Sequence, residues 1–489
     1  ISLYEQWQPT AVLVEDAASG QCFSSDTEIL TKRGWIKIFD VDLPNDEFAT
    51  RDIETGSFEW QKALTKVNYS YKGKMIRLFS RSVDLLVTPR HRILVTSLPR
   101  RLGGNHNRKG EVFVEAKDLM GLKPGKHINI PMVSKWRGIE IRQKVFNFDK
   151  SSRVVKRDKI GRRNKGGSGK PVAMSGDDYC AFMGMYLAEG WYRIQQKHRV
   201  YAVCISQRKR GTIAFNEYEI ALSRILGKKV SCDDQGFVIS RLGLAEHVSQ
   251  FGNKANNKFV PDEIKNATKR QLAIFWKYYF LGDGNNSSGM QVISSASKKM
   301  ADDLMEIAQK MGWSASIAEV KPKKDIVIGN NKCITKAEGR IIYIIRLRKS
   351  KEMGFYATEE DYEGTVHCVS VPNGSVYARR NGKPAWVGQS LIQEMRSVTI
   401  IPVMAIKVDR DKIARVNAVT AMIEAGRVFI CLEAPWRVEW EYEHEIFPAG
   451  AHDDWVDCSS QFLNWARTHV STEMGSMLKG IPKRSMWRI

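Results

Sequence analysis

From residue 28 to residue 95 the apolar positions fall in short clusters divided by turn residues, at 28–30, 34–38, 74–78, 84–87 and 92–95. Short segments at that spacing predict strands of a compact all-β domain. A second group of the same texture lies far downstream, at 364–371, 374–378 and 384–387, and is expected to complete the same sheet. Between the groups the pattern turns helical. Two runs, Phe182-Met183-Gly184-Met185-Tyr186-Leu187-Ala188-Glu189-Gly190 and Trp276-Lys277-Tyr278-Tyr279-Phe280-Leu281-Gly282-Asp283-Gly284, are apolar and each ends in an acid followed by glycine. The stretch from Ser295 opens a further helix, whose core face is Met305, Ile307, Ala308 and Met311.

The ends of the chain belong together. An apolar run, Ala11-Val12-Leu13-Val14, closes on Glu15 and Asp16 and is followed by the small residues Ala17-Ala18-Ser19-Gly20. With everything from Cys22 through Gln389 left out, it reads straight on into Ser390-Leu391-Ile392-Gln393-Glu394-Met395 as one strand, turn and helix. The long middle therefore reads as a passenger inside another protein. Because the chain opens on Ile1 and not Met, it is expected to be a fragment of that host.

Composition changes this picture in one respect. Apolar content of 43% and charged content of 27% are ordinary, but the formal net charge is +22. A surplus of that size implies a polyanionic partner, most simply nucleic acid, since Lys and Arg replace the counterions condensed on phosphates. No apolar run approaches the roughly 18 residues of a membrane span, and no signal-peptide pattern precedes Leu3. A cytoplasmic protein without membrane contact is expected. The eight cysteines form no C-x-x-C pair, so neither a zinc site nor a disulfide framework is indicated.

Cys22 opens a polar strand start, Cys22-Phe23-Ser24-Ser25-Asp26-Thr27, and the far junction, Val387-Gly388-Gln389-Ser390, sets a carboxamide before a hydroxyl. Between them Thr88-Pro89-Arg90-His91 matches T-x-x-H. Together these residues resemble an intein, a self-splicing segment of the Hedgehog/intein fold. The resemblance implies that Cys22 converts the Gln21–Cys22 peptide into a thioester. Ser390 then takes the acyl group, Gln389 cyclises through its own side-chain amide, and an O-to-N shift joins Gln21 to Ser390. A histidine of near-neutral pKa at His91 suits proton donation to the departing nitrogen, and Thr88 can hold the amide or the imidazole. No cofactor is implied for splicing. Two departures stand out. The family usually ends in His-Asn, whereas Gly388-Gln389 demands a six-membered imide and offers no penultimate histidine, leaving His367 as one that could assist. Cys368 stands where many inteins have Asp, either as a thiol that assists Cys22 or as a small buried residue.

The paired runs ending in Glu189 and Asp283 resemble the LAGLIDADG motifs of homing endonucleases. Such helices cross closely through small residues, which sets their terminal acids over two scissile phosphates to bind divalent metal. Gly184 and Ala188 provide the small contacts of the first helix. Tyr278 occupies the matching glycine position of the second, leaving Gly282 as its clear small contact. The resemblance also implies Mg2+ or another divalent cation, double-stranded DNA as partner, and Lys258 near the metal to orient water or stabilise charge. A basic, Gly-rich stretch at 153–170 reads as an arm on the phosphates or as a linker.

The flanks have a signal of their own in Glu15-Asp16 and in Gly450-Ala451-His452-Asp453-Asp454-Trp455. These resemble the RNase H-like nuclease domain of bacteriophage terminase large subunits. The resemblance implies metal ligands at Glu15 or Asp16 and at Asp453 or Asp454. It also implies the terminase small subunit and portal as partners after splicing, in the cytoplasm of a phage-infected bacterium. The expected multi-domain architecture is thus an N-extein (1–21), an all-β Hedgehog/intein splicing domain (22–127 and 354–389), an α+β LAGLIDADG endonuclease insert (128–353), and a C-extein (390–489) completing a split α/β RNase H-like fragment. Two other readings stay open. One is a splicing intein whose endonuclease binds DNA without cutting it. The other is a conventional, non-splicing DNA nuclease in which Cys22 and Gln389 are structural.

Overall fold

The computed structural model describes residues 12–15, 21–96, 111–123, 128–146, 172–195, 200–287, 290–321, 326–328, 331–334, 341–388, 403–406, 412–431, 434–450, 453–469 and 486–488. The chain divides into two units, Gly20–Gln389 and a second made of Ile1–Ser19 with Ser390–Ile489.

In the larger unit, both groups of short apolar segments form strands of shared sheets. A closed arrangement joins Phe23–Ser24, Tyr356–Ser370, Thr65–Phe79 and Asp84–Val87, in that order of pairing. Tyr356–Ser370 and Thr65–Phe79 run antiparallel over their full lengths, from Tyr356↔Phe79 to Ser370↔Thr65. A second sheet runs Lys383–Gly388, Ser375–Arg380, Glu28–Thr31, Glu47–Arg51 and Phe58–Lys62, with Gly34–Lys37 added beside Glu28–Thr31. Strands from both ends of this unit therefore interleave, because neither group alone closes its hydrogen-bonding edges. Their common core includes Phe23, Ile76, Leu85, Val87, Ile93, Val376 and Val387. Ile128, Ile130 and Met132 belong to it as well.

The helical stretch repeats one order of elements twice. Gly176–Glu189 leads directly into the strand Gly190–Gln195, followed by Val200–Ile205, the helix Ile213–Leu226, and the strands Ser231–Asp233 and Gly236–Ile239. Lys269–Asp283 leads into Gly284–Ser287, followed by Met290–Ser295, the helix Lys298–Met311, and among its later strands Ser314–Val320 and Ile342–Arg348. Each series builds a four-stranded antiparallel sheet. Side-chain caps start both leading helices, with Ser175 Oγ accepting from Asp178 N–H and Thr268 Oγ1 from Gln271 N–H.

The β part and the helical part share one core. Leu30, Trp35, Tyr377 and Trp386 pack in the same cluster as Met300, Leu304 and Met305. The fully buried Arg379 bridges Glu28 (2.8 Å) and Asp302 (2.7 Å) and lies 4.3 Å from the Trp35 ring. A guanidinium is retained in such a place only when its fixed fork of donors is matched by carboxylates, as it is here.

In the smaller unit Val12–Glu15 pairs in parallel with Val403–Ile406, so strands from the two ends of the chain lie side by side. Its helices among the described residues are Lys412–Glu424, Arg437–Ile446 and Asp454–His469. No helix among the described residues is long and apolar enough to cross a membrane.

Candidate functional site

The start of the β part is organised around the peptide bond that precedes Cys22. The Cys22 N–H donates to Thr88 Oγ1 at 2.8 Å, and the Thr88 N–H donates to the Cys22 carbonyl at 3.0 Å. The threonine thus grips the residue on both sides. Thr88 reaches this position because Asp84–Val87 pairs with Phe23 and then turns at Pro89. Cys22 itself is fully buried among Met75, Leu86, Val366 and Cys368.

His91 lies beneath this site, its ring edge-on to Phe23 at 4.4 Å and near the Gln21 backbone. It differs from expectation in its ionisation. Complete burial, aided by the Arg92 charge and opposed by Gln21, pushes its pKa down to about 3. It is therefore a neutral imidazole at working pH, with one N–H donor and one acceptor, and not a histidine poised near neutrality. Neither ring nitrogen makes a well-formed hydrogen bond among the described residues.

The far end of the unit returns to the same place. Gly388 pairs with Ser375. A Cβ built on it would lie 2.6 Å from the Phe113 ring and 2.7 Å from the Arg92 carbonyl oxygen, next in sequence to His91. A side chain there requires the Phe113 ring and the Arg92 backbone to shift, which favours glycine at the position where the intein resemblance would place histidine. Gln389 and Ser390 lie outside the described residues. His367 and Cys368 are neighbours on one strand and so face opposite ways. Cys368 faces Cys22, whereas His367 packs near Phe39 with ring centroids 6.2 Å apart. Burial and the Lys66 charge lower the His367 pKa.

A second constellation sits where the two leading helices of the helical part cross. A Cβ on Gly184 would come within 2.5 Å of the Phe275 carbonyl oxygen, and one on Gly282 within 2.8 Å of Ala188 Cβ and 2.9 Å of Glu189 Cγ. The crossing is tight despite Tyr278, which offers only its Cβ to Gly184 while its ring turns toward Tyr218 at 6.3 Å. Glycine opposite backbone makes the contact, so a second glycine at 278 is unnecessary.

This crossing brings Glu189 and Asp283 together. Desolvation and the charge of Glu189 push Asp283 up to about 7, against the opposing Lys258 and a hydrogen bond from Tyr279. Glu189 is raised by burial too, against Lys258, and accepts a hydrogen bond from Gln207 Nε2 at 3.3 Å. Lys258 is buried, donates to the Tyr186 and Leu187 carbonyls at 2.9 and 3.2 Å, and is lowered by burial to about 8 despite both acids. Two neighbouring carboxylates that repel each other, Glu189 half-buried and Asp283 exposed, fit a hard divalent cation. Mg2+ in particular takes one or two protein carboxylates and fills its other positions with water or phosphate oxygens. No cluster of three or more His, Cys, Asp or Glu suited to a metal occurs among the described residues.

In the smaller unit Asp453 is ion-paired with Lys412 at 2.8 Å, and Asp454 is exposed in the first turn of its helix. Asp16 lies outside the described residues, as does the side chain of Glu15. The basic stretch at 153–170 lies outside them as well.

No family model matches the chain. Among curated proteins it is 26% identical over 324 residues to an ATP-dependent Clp protease proteolytic subunit of Chlamydomonas moewusii, covering 63% of this chain and 30% of that one. It is 22% identical over 425 residues to a DNA-directed RNA polymerase subunit beta C-terminal section of Stigeoclonium helveticum, covering 76% and 36%. A stretch of 79 residues is 35% identical to the ribonucleoside-diphosphate reductase subunit beta of Aquifex aeolicus, covering 16% and 11%. The chain thus spans about a third or less of each of these relatives. Solved structures similar to parts of it include a splice-inactive variant of the AceL NrdHF class 3 split intein, with TM-score 0.19, 18% identity, and 23% and 65% coverage. They also include the homing endonuclease I-DmoI in complex with DNA and Mn, with TM-score 0.25, 11% identity, and 35% and 90% coverage.

The sequence reading missed several groups around these sites. Tyr279 and Gln207 touch the acids, and Tyr69 touches Cys22. Only Tyr69 left a readable trace, in the alternation of Val67, Tyr69 and Tyr71 along one strand face.

Proposed function

We propose that residues 22–389 are a self-excising element that joins 1–21 to 390–489, and that its inserted part is a metal-dependent endonuclease acting on double-stranded DNA. The observation that carries the splicing reading is the hydrogen bond from the Cys22 N–H to Thr88. That nitrogen belongs to the bond to be broken, and the thiol of the same residue is the nucleophile. The Cys22 sulfur bonds to the Gln21 carbonyl carbon, the C–N bond breaks, and the thiol proton ends on the Cys22 amine. Ser390 oxygen then displaces the sulfur. The Gln389 side-chain nitrogen attacks its own carbonyl to close a six-membered imide, which frees the Ser390 amine to take the acyl group from oxygen. Thr88 orients the scissile amide, and neutral His91 can pass a proton without carrying charge.

The curated relatives support the same reading. A protease subunit, an RNA polymerase subunit and a reductase subunit have no activity in common, yet each matches this chain over only part of its own length. A mobile insert found in unrelated hosts leaves that pattern. For the insert, Glu189 and Asp283 would hold the cation, which would polarise phosphate and activate water, with Lys258 beside them. The flanking unit we assign to a terminase nuclease fragment, on Glu15 or Asp16 with Asp453 or Asp454.

Intact mass followed over time, beside Cys22→Ala, tests the proposal. Joined flanks plus a free middle segment, both absent from the variant, are expected. A single unchanged species from both chains rules out splicing and leaves the conventional-nuclease reading.

A further inference from the structure

The splicing reading leaves one group at the nucleophile without a task. Val67, Tyr69 and Tyr71 alternate along Thr65–Phe79 and so share a face. The register sets Tyr69 opposite Val366 and Val67 opposite Cys368, while Phe23 pairs with His367 across the other edge of the same strand. Strand Tyr356–Ser370 is therefore flanked by the strand that follows Cys22 and by the strand that carries Tyr69. The Tyr69 ring closes over the cluster of Cys22, Met75, Leu86, Val366 and Cys368, steadied edge-on by Tyr71 with centroids 6.5 Å apart. Its hydroxyl is hydrogen-bonded to the Cys22 side chain. Burial, the two thiols and that hydrogen bond hold the phenol protonated far into the alkaline range, so toward sulfur it acts as a donor.

We infer that Tyr69 is a catalytic residue of the splicing site, donating its O–H to the Cys22 sulfur whenever that sulfur carries negative charge. This rests on the splicing reading, and that charge arises twice. In the first step the thiol must give up its proton before sulfur bonds to the Gln21 carbon. In the second, Ser390 oxygen bonds to that carbon and the C–S bond breaks with its electron pair passing to sulfur, which then takes the Ser390 proton. A donor fixed on sulfur lowers the cost of both events.

The test uses the whole chain with Gln389→Ala, which halts the sequence before cyclisation, and follows release of residues 1–21 by an added thiol. Tyr69→Phe keeps the ring and its packing. It is expected to slow release about 10–100-fold, the span for a hydrogen bond to a charged group, and to displace the pH–rate profile toward alkaline pH. Tyr71→Phe, whose hydroxyl donates instead to the Lys74 carbonyl at 2.7 Å, is expected to leave both unchanged. A Tyr69→Phe profile superimposable on the parent's overturns the assignment, as does a loss equal at every pH, which marks a structural role. No thiol-dependent release from the parent itself would instead refute the splicing reading.

Discussion

Two sites in the larger unit handle charge in opposite ways. Around Cys22 the chain has collected groups that are neutral at working pH. Thr88 holds the Cys22 amide by hydrogen bonds, His91 is kept uncharged by complete burial, and Tyr69 stays protonated. At the helix crossing the chain has forced Glu189 against Asp283 with one buried lysine nearby. The first site keeps its groups uncharged, and the second sets two acids side by side. Neutral groups can be buried at modest cost, whereas like charges set side by side favour protonation or a bound cation. The proposed chemistries follow the same division, since splicing needs only the chain and DNA cleavage needs a metal.

Chelation separates the two most sharply. With EDTA in excess, cleavage of a DNA carrying the insert's target is expected to fall at least about a thousandfold, the scale of losing the main electrostatic stabilisation of a transition state. The splicing rate, read by mass on the same sample, is expected to stay the same. A splicing rate that falls along with cleavage would break the comparison. Glu189→Gln should reproduce the chelator's effect on DNA without touching splicing.

The next effect concerns the far splice junction. The intein resemblance sets histidine before the terminal carboxamide residue, and taken alone it predicts that Gly388→His speeds cyclisation. Packing predicts the reverse, because a Cβ there would press on the Phe113 ring and the Arg92 carbonyl. Relieving that clash must move a strand end or the His91 turn, at about 1–3 kcal/mol, equivalent to roughly a 5–150-fold slower final step. Branched ester should accumulate, visible as a slowly migrating band sensitive to mild base. Faster splicing by the variant would show that the junction has room after all.

How much of this could be read beforehand depended on where each cause resides. Strands such as Glu28–Thr31 and Asp84–Val87 were legible because a short apolar run bounded by turn residues is sufficient to specify them. That Thr88 and His91 lie beside Cys22, and Glu189 beside Asp283, was legible because short motifs fix the spacing and the turn together. The ionisation of His91 was not, since the burial that pushes it to about 3 comes from elements distant in sequence. Tyr278 misled for a related reason. The tight crossing depends on the backbone of Phe275 facing Gly184, and no residue identity on the second helix reports where its backbone faces. The core shared by Trp35, Tyr377 and Trp386 with Met300 and Leu304 was equally hidden, because strands and helices that each look self-sufficient in sequence meet there.

The smallest effect tests the repulsion between Glu189 and Asp283. Asp283 has an ordinary carboxyl pKa near 3.8 when unfolded and about 7 when folded, so the folded chain binds the proton more tightly. Its contribution is present in full below about pH 4 and is lost as pH rises through about 7, because the unfolded state ionises first. Asp283→Asn removes that loss. Asp283 is exposed to solvent, so screening, coupling to Glu189 and the loss of a partner for Lys258 all reduce the gain, and the direction of the difference is what the experiment reads. Metal-free Asp283→Asn is therefore expected to unfold at nearly the same denaturant concentration as the parent at pH 4 and at a higher one at pH 8. Saturating Mg2+ should narrow the difference, because the cation relieves in the parent the same repulsion that the substitution removes. Equal stability of the two chains at pH 8 without metal would mean that the acids are not held in conflict, and the contrast with the Cys22 site would lose its physical basis.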